Sequence, residues 1–152
     1  MTSGVYDNAM VSLMTGAVNV PLNSTPGTFP GEYCCLTTAQ PTQSLTNTYT
    51  NLQSQMGAVN GYTLGGSIIN TVVPTMTTHV TGLKTGGSLV YTTTGTITAE
   101  WLVPQHCPTS ATTAANPLLC FLDMGAQSVT NGTLTITWNG AGIFTLTVAA
   151  AA

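Results

Sequence analysis

The clearest order in this chain is a two-residue alternation of apolar and hydroxyl side chains near its end. In residues 133–148, TLTITWNGAGIFTLTV, Leu134, Ile136 and Trp138 fall on one side of an extended chain and Thr133, Thr135 and Thr137 on the other. Phe144, Leu146 and Val148 repeat the pattern against Thr145 and Thr147. With NPLLCFLDMGAQSVT ahead of it, the last quarter reads as three strands, the final two predicted to close a hairpin at Asn139-Gly140. Residues paired across a ladder share a face. Keeping the apolar faces in step therefore requires an odd-length loop or a bulge, which sets Ile136 opposite Phe144 or Leu146.

Elsewhere the pattern is shorter-ranged. Over residues 4–18, Tyr6, Met10, Leu13, Met14 and Ala17 recur at helical spacing, with Ser3 placed to cap, Asp7 in the first turn and Gly16 near the end. This predicts a short N-terminal amphipathic helix whose stripe must dock on something, since a helix of that length is marginal alone. Pro21, Pro26, Gly27, Pro30 and Gly31 mark a loop, and a strand is expected over 33–38. Leu45, Tyr49, Leu52 and Met56 suggest one short helix over 43–56, although its Thr, Ser, Asn and Gln positions compete for backbone hydrogen bonds. GYTLGG at 61–66 is a glycine-punctuated turn. Further strands are expected at 67–73, 76–81, 88–94 and 96–103, followed by a Pro/Ala/Thr loop at 104–116.

The chain is thus expected to be one mainly β domain over 1–152. Its β core spans about 33–148, arranged as an antiparallel β-sandwich or jelly-roll-like fold, with an alanine tail at 149–152. Trp101, Phe121, Ile136, Trp138, Phe144 and Leu146 are the expected core.

Charge changes the picture. Only 3% of residues are charged, namely Asp7, Glu32, Lys84, Glu100 and Asp123, against about 25% in ordinary globular proteins. Threonine supplies 31 of the 152 residues. A surface of uncharged hydroxyls packs against other proteins without desolvating ions, but favours solubility less than an ionic one. One lysine cannot neutralise several phosphates, so a nucleic-acid partner is disfavoured. No apolar run is long enough for a transmembrane helix, so no membrane partner is expected, and no secretory signal peptide is evident.

Candidate chemistry is sparse. Cys34, Cys35, Cys107 and Cys120 lack the spacing of a structural zinc site. A disulfide joining Cys107 to Cys34 or Cys35 is one reading; buried reduced thiols in a reducing cytoplasm is the favoured one. His106 beside Cys107 invites a nucleophile–base pair, yet adjacent strand residues point to opposite faces. Glu32, Glu100 and Asp123 are too few and too unsupported to build a hydrolytic pair, and no lysine follows the glycine block as a phosphate loop needs. No enzyme, metal or cofactor is expected.

Several blocks occur together in order. They are VYDNAMVSLMTGAVNV at 5–20, GYTLGG at 61–66, TGTITAEWLV at 94–103 and PLLCFLDMGAQSVTNGTLTITWNGAGIFTL at 117–146. In this the chain resembles a family of small virion structural proteins of tailed bacteriophages. The terminal block is the specific part; residues 21–56 and 104–116 match poorly. The resemblance implies a β-rich, non-enzymatic particle component made in the bacterial cytoplasm. The expectation drawn from it and from the charge-poor composition is a capsid decoration or cement protein. It would be homo-oligomeric, trimeric as the simplest case, with the major capsid protein or neck and tail proteins as partners. Expected contacts are Tyr6, Met10, Leu13, Met14, Phe29, Tyr33 and the tail from Ala149 to Ala152. A neck, tail or fibre-base component and a carbohydrate-binding adhesin module are the alternatives.

Overall fold

The computed structural model describes residues 4–6, 31–42, 48–52, 54–69, 72–77, 80–85, 87–138 and 144–147; for Val5 and for residues 72–77, 80–85 and 144–147 it describes the backbone alone. Ten strands run in chain order among the described residues. They are β1 (Gly4–Val5), β2 (Gly31–Thr37), β3 (Ser67–Ile68), β4 (Val72–Thr77), β5 (Val80–Thr85), β6 (Leu89–Thr92), β7 (Thr96–Cys107), β8 (Cys120–Thr130), β9 (Thr133–Ile136) and β10 (Phe144–Thr147). All pairings are antiparallel. The sheets have the orders β1-β8-β7-β2-β3, β10-β5-β4 and β6-β9. The chain is therefore mainly β, and its only helical element among the described residues is a single 3₁₀ turn at Tyr49–Asn51.

β7 is the axis of the largest sheet. Its first half alternates exposed and buried positions, whereas Trp101 to Cys107 are buried on both faces. β2 beside it is likewise buried on both faces apart from Tyr33. A strand covered on both sides reads as a near-continuous apolar run, which WLVPQHC is only in part. Its polar members must find partners inside. The core joins Leu36, Ile69, Tyr91, Ile97, Trp101, Val103, Leu118 and Phe121, among others, with Leu134, Ile136 and Trp138 packed at its margin. Trp101 and Phe121 stack tilted at 6.0 Å between ring centroids. Both rings are buried in the core, and Ile136 and Trp138 lie partly buried against it. The side chains of Phe144 and Leu146 lie outside the described residues.

Several sequence expectations are corrected. Residues 4–6 do not begin a helix. β1 pairs with Cys120–Phe121 of β8, Tyr6 N–H donates to Leu119 O at 3.1 Å, and the Tyr6 ring packs edge-on against Phe121 at 5.5 Å. Sheet pairing and ring burial outweigh a weak local helical preference; residues 7–18 of that helix lie outside the described part. Of the helix expected over 43–56, residues 43–47 and 53 lie outside the described part; the rest forms the 3₁₀ turn and an extended stretch alongside β2, where Gln55 bridges Thr37 and Met56 N–H donates to Leu36 O. The strand expected at 76–81 straddles the end of β4 and the start of β5.

β7 runs on through Pro104 to Cys107, where a loop was expected. Pro104 lies past the last ladder pair with β8, Leu102↔Leu122, and before the isolated bridge Gln105↔Leu118. That irregularity tolerates a residue with no N–H.

The largest correction concerns the terminal strands. β9 and β10 do not pair with each other. β9 pairs with β6, setting Leu134 opposite Tyr91 and Ile136 opposite Leu89, and β10 pairs with β5, setting Phe144 opposite Leu83. The alternation itself is as read. Leu89 and Tyr91 are buried and Leu134 and Ile136 half-buried, while Val90, Thr92, Thr133 and Thr135 are exposed. Periodicity assigned the faces correctly, but each strand had more than one partner of matching period.

Candidate functional site

Two polar regions stand out, one inside and one on the surface. The interior one follows from register. Glu32 of β2 lies directly opposite His106 of β7, so the two side chains share a face. His106 Nδ1 and Glu32 Oε1 are 3.1 Å apart, with the side chains 3% and 0% exposed. Glu32 Oε2 has no hydrogen-bond partner among the described residues. On the other face Gln105 is fully buried, and its amide nitrogen donates to Gly65 O at 3.1 Å, Ala111 O at 2.9 Å and Cys35 Sγ at 3.3 Å. It ties both the glycine block and the 108–116 loop to the sheet. Asn116 extends this network, donating to Ser110 O at 2.7 Å and Cys107 Sγ at 3.4 Å.

This cluster contains the ingredients of a thiol nucleophile without its electrostatics. Burial, and then the charge of Glu32, push the Cys107 thiol up to about 12. An activated cysteine needs the opposite shift. Cys34 and Cys35 are also raised by burial, and Cys120 is pushed up to about 12 for the same reason. All four cysteines are free and buried, which corrects the disulfide reading for Cys34, Cys35 and Cys107: Cys107 ends a buried strand rather than lying in a loop. No group of three or more His, Cys, Asp or Glu side chains among the described residues could hold a metal.

The glycine block serves the same region. Gly65 and Gly66 both have positive φ, and a Cβ at Gly66 would come 1.7 Å from Cys34 O. The block lets the chain pass against the backbone of β2, a packing role and not a phosphate cradle.

The surface region lies where β7 and β8 lose register. Ala99 pairs with Gln127, but Trp101 pairs with Asp123, so β8 carries extra residues at Met124–Ala126. The bulge is built locally. Gly125 takes φ +68, its N–H donates to Asp123 Oδ1 at 2.7 Å, and Gln127 Nε2 donates to Met124 O at 3.1 Å. This accounts for the DMG of the terminal block: the carboxylate holds the turn and glycine supplies the left-handed conformation. The bulge opens a notch of about 260 Å³ lined by Thr38, Thr98, Ala99, Glu100, Ala126, Gln127 and Ser128. Glu100 is half-buried there.

Around the notch the outward side chains are uncharged. Thr96 pairs with Thr130 and Thr98 with Ser128, all exposed, and the Thr96 and Thr130 hydroxyls hydrogen-bond at 2.7 Å. On the β6-β9 ribbon Thr92 pairs with Thr133 and Val90 with Thr135.

The expected contact residues fare unevenly. Tyr6 is fully buried within its own chain, against Phe121, and presents no surface. Tyr33 is half-buried on β2. Met10, Leu13, Met14, Phe29, Ala149 and Ala152 lie outside the described residues. Sequence reading missed the Glu32–His106 pair, Gln105 and the bulge. Only the DMG triplet carried a local signal; the others depend on register between strands far apart in sequence.

No protein-family model, curated protein or solved structure matches the chain. Among the described residues no helix is long and apolar enough to cross a membrane.

Proposed function

We propose that this protein is a non-enzymatic structural component of a tailed-bacteriophage virion, and specifically a decoration or cement protein of the capsid. It acts as a homo-oligomer, most simply a trimer, seated on the major capsid protein. Its sheets form a β-sandwich or jelly-roll-like body. The mechanism is mass action: a chain that binds only the assembled lattice stabilises that lattice.

The observation that carries this reading is the outward face of β7, β8, β6 and β9, where threonine and serine stand in place of ions. Covering a hydroxyl that can re-form its hydrogen bond costs far less than covering a charge. Such a face loses little when a neighbour is laid against it. The resemblance of the ordered blocks to those of small phage virion proteins supports the same reading, and the raised, buried thiols give no support to a catalytic alternative.

The test is to purify intact particles and locate the chain by cryo-electron microscopy. Density on the shell at hundreds of copies is the expected result. A single ring of copies at a vertex would instead make it a neck or tail component. Absence from particles, with the purified chain remaining monomeric at high concentration, would overturn the proposal.

A further inference from the structure

On its outer side β2 has a strand beside it only briefly. β3 pairs with it at Tyr33 and Cys34 and then leaves. Further along, Leu36 O accepts from Met56 N–H and Thr37 bridges Gln55. Two backbone groups lie between these partners, and tyrosine hydroxyls meet both. The Tyr91 hydroxyl donates to Cys34 O at 2.5 Å, and Leu36 N–H donates to the Tyr62 hydroxyl at 3.1 Å. A bare strand rim invites further pairing. Here side chains from two other segments finish it.

Tyr91 belongs to β6, so its hydroxyl joins two sheets that share no ladder. The β6-β9 ribbon leaves β7 and β8 at a corner, where Thr93 N–H donates to Gly132 O at 2.7 Å and Gly132 N–H to Thr93 Oγ1 at 2.9 Å. Away from that corner it lies on the body through the buried side chains of Leu89 and Tyr91. The Tyr91 ring rests 5.8 Å from that of Tyr62, between centroids. Burial pushes both phenols above their ordinary range, which keeps the Tyr91 hydroxyl a donor far into alkaline pH. Cys34 is fully buried at this place. Burial and the neighbouring thiols push its own thiol up, and the Tyr91 hydroxyl beside it pulls the other way.

We infer that the β6-β9 ribbon is a strap fastened over the rim of β2 by Tyr91 seated on Tyr62, and that it lifts as a unit before the rest of the fold opens, uncovering Cys34 first among the four thiols. The reason is a difference in fastening. β7 is laddered to β2 along the whole of β2 and to β8 on its other side. Among the described residues the strap is held to β2 by side chains, with one hydroxyl bond across the gap. Segments held in this way open at lower free energy than a laddered core.

The experiment combines amide hydrogen exchange by NMR with labelling of the thiols by a disulfide reagent, resolved by mass spectrometry, on the full chain in a series of low urea concentrations. In the parent, the amides of 89–92 and 133–136 should exchange faster than those shared by β7 and β8, with a weaker dependence on urea. Cys34 should label ahead of Cys120 with the same weak dependence. Tyr91→Phe keeps the ring and removes the hydroxyl, and it should speed the strap amides and Cys34 about fivefold, the worth of one net hydrogen bond. Phe121→Leu loosens the packing of β8 on Tyr6 and Trp101, away from the strap, and should speed Cys120 while leaving Cys34 and the strap amides at the parent's rates. Strap and core exchanging together in the parent, or Cys120 labelling ahead of Cys34, would overturn the inference. So would a Phe121→Leu variant that speeds both sets equally, since the strap would then open only with the whole fold. The parent's own order of exchange decides the matter even where a variant does not fold. All of these readouts use the isolated chain, so they fail separately from its placement in particles.

Discussion

Replacing His106 with leucine should be among the most damaging single changes in this protein. The imidazole is the hydrogen-bond partner of Glu32 among the described residues, at 3.1 Å, and Glu32 is fully buried with no partner there for its second oxygen. His106→Leu would leave a carboxylate with no side-chain partner in the interior, at a cost of about 3–5 kcal/mol. Against a total stability of about 5–15 kcal/mol for a typical domain, that is a large fraction. For a domain of this size it corresponds to a fall in Tm of roughly 6–20 °C. The double replacement Glu32→Met with His106→Leu removes the charge together with its partner and keeps the volume filled. It should lie within about 1 kcal/mol of the parent or above it, because a buried pair often contributes no more than a well-packed apolar one. Urea unfolding followed by the fluorescence of Trp101, itself buried, gives all four corners of the cycle at constant m. A loss below about 1 kcal/mol for His106→Leu, or single costs that simply add in the double variant, would refute the reasoning.

Other substitutions separate backbone geometry from space and burial from exposure. Gly66→Ala puts a Cβ 1.7 Å from Cys34 O at φ +83 and should cost more than about 4 kcal/mol in the same assay, whereas Gly125→Ala, at φ +68 with open space around it, should cost only about 1–2 kcal/mol. The Tyr6 hydroxyl is buried without a partner among the described residues, so Tyr6→Phe should leave stability unchanged or raise it by up to about 1 kcal/mol, as read by thermal unfolding. All four thiols should resist a disulfide reagent in the folded protein at pH 8 and react in urea. Because burial raises Cys107 and Cys120 from 9.0 to about 12, their contribution to stability is complete below about pH 9 and is lost as pH climbs toward 12; an alkaline unfolding series checks the sign.

What the sequence made legible was the set of faces, and what it concealed was who pairs with whom. The threonine side of 133–136 and the burial of Trp101 follow from period-two alternation, a local property. The partner of β9 does not, since Leu89 and Tyr91 present the same period to it as Phe144 and Leu146 do. The Asn139-Gly140 signal favoured the nearer choice. Pro104 concealed the last third of β7, and with it the alignment of Glu32 with His106. The helical spacing at Tyr6 arose from a residue that serves the sheet instead. The bulge was half visible: Asp-x-Gly announces a turn, but only register shows that it opens opposite Glu100.

The separate destinations of the two final strands deny the end of the chain a native hairpin of its own. The stretch at 133–136 pairs with 89–92 and the stretch at 144–147 with 80–85, so neither has its sequence neighbour as its native partner. Both closures span long stretches of chain, the kind of distant contact whose loop-closure entropy slows folding. Until that closure, two half-finished ribbons wait with open hydrogen-bonding rims, a state in which nascent copies can snare one another.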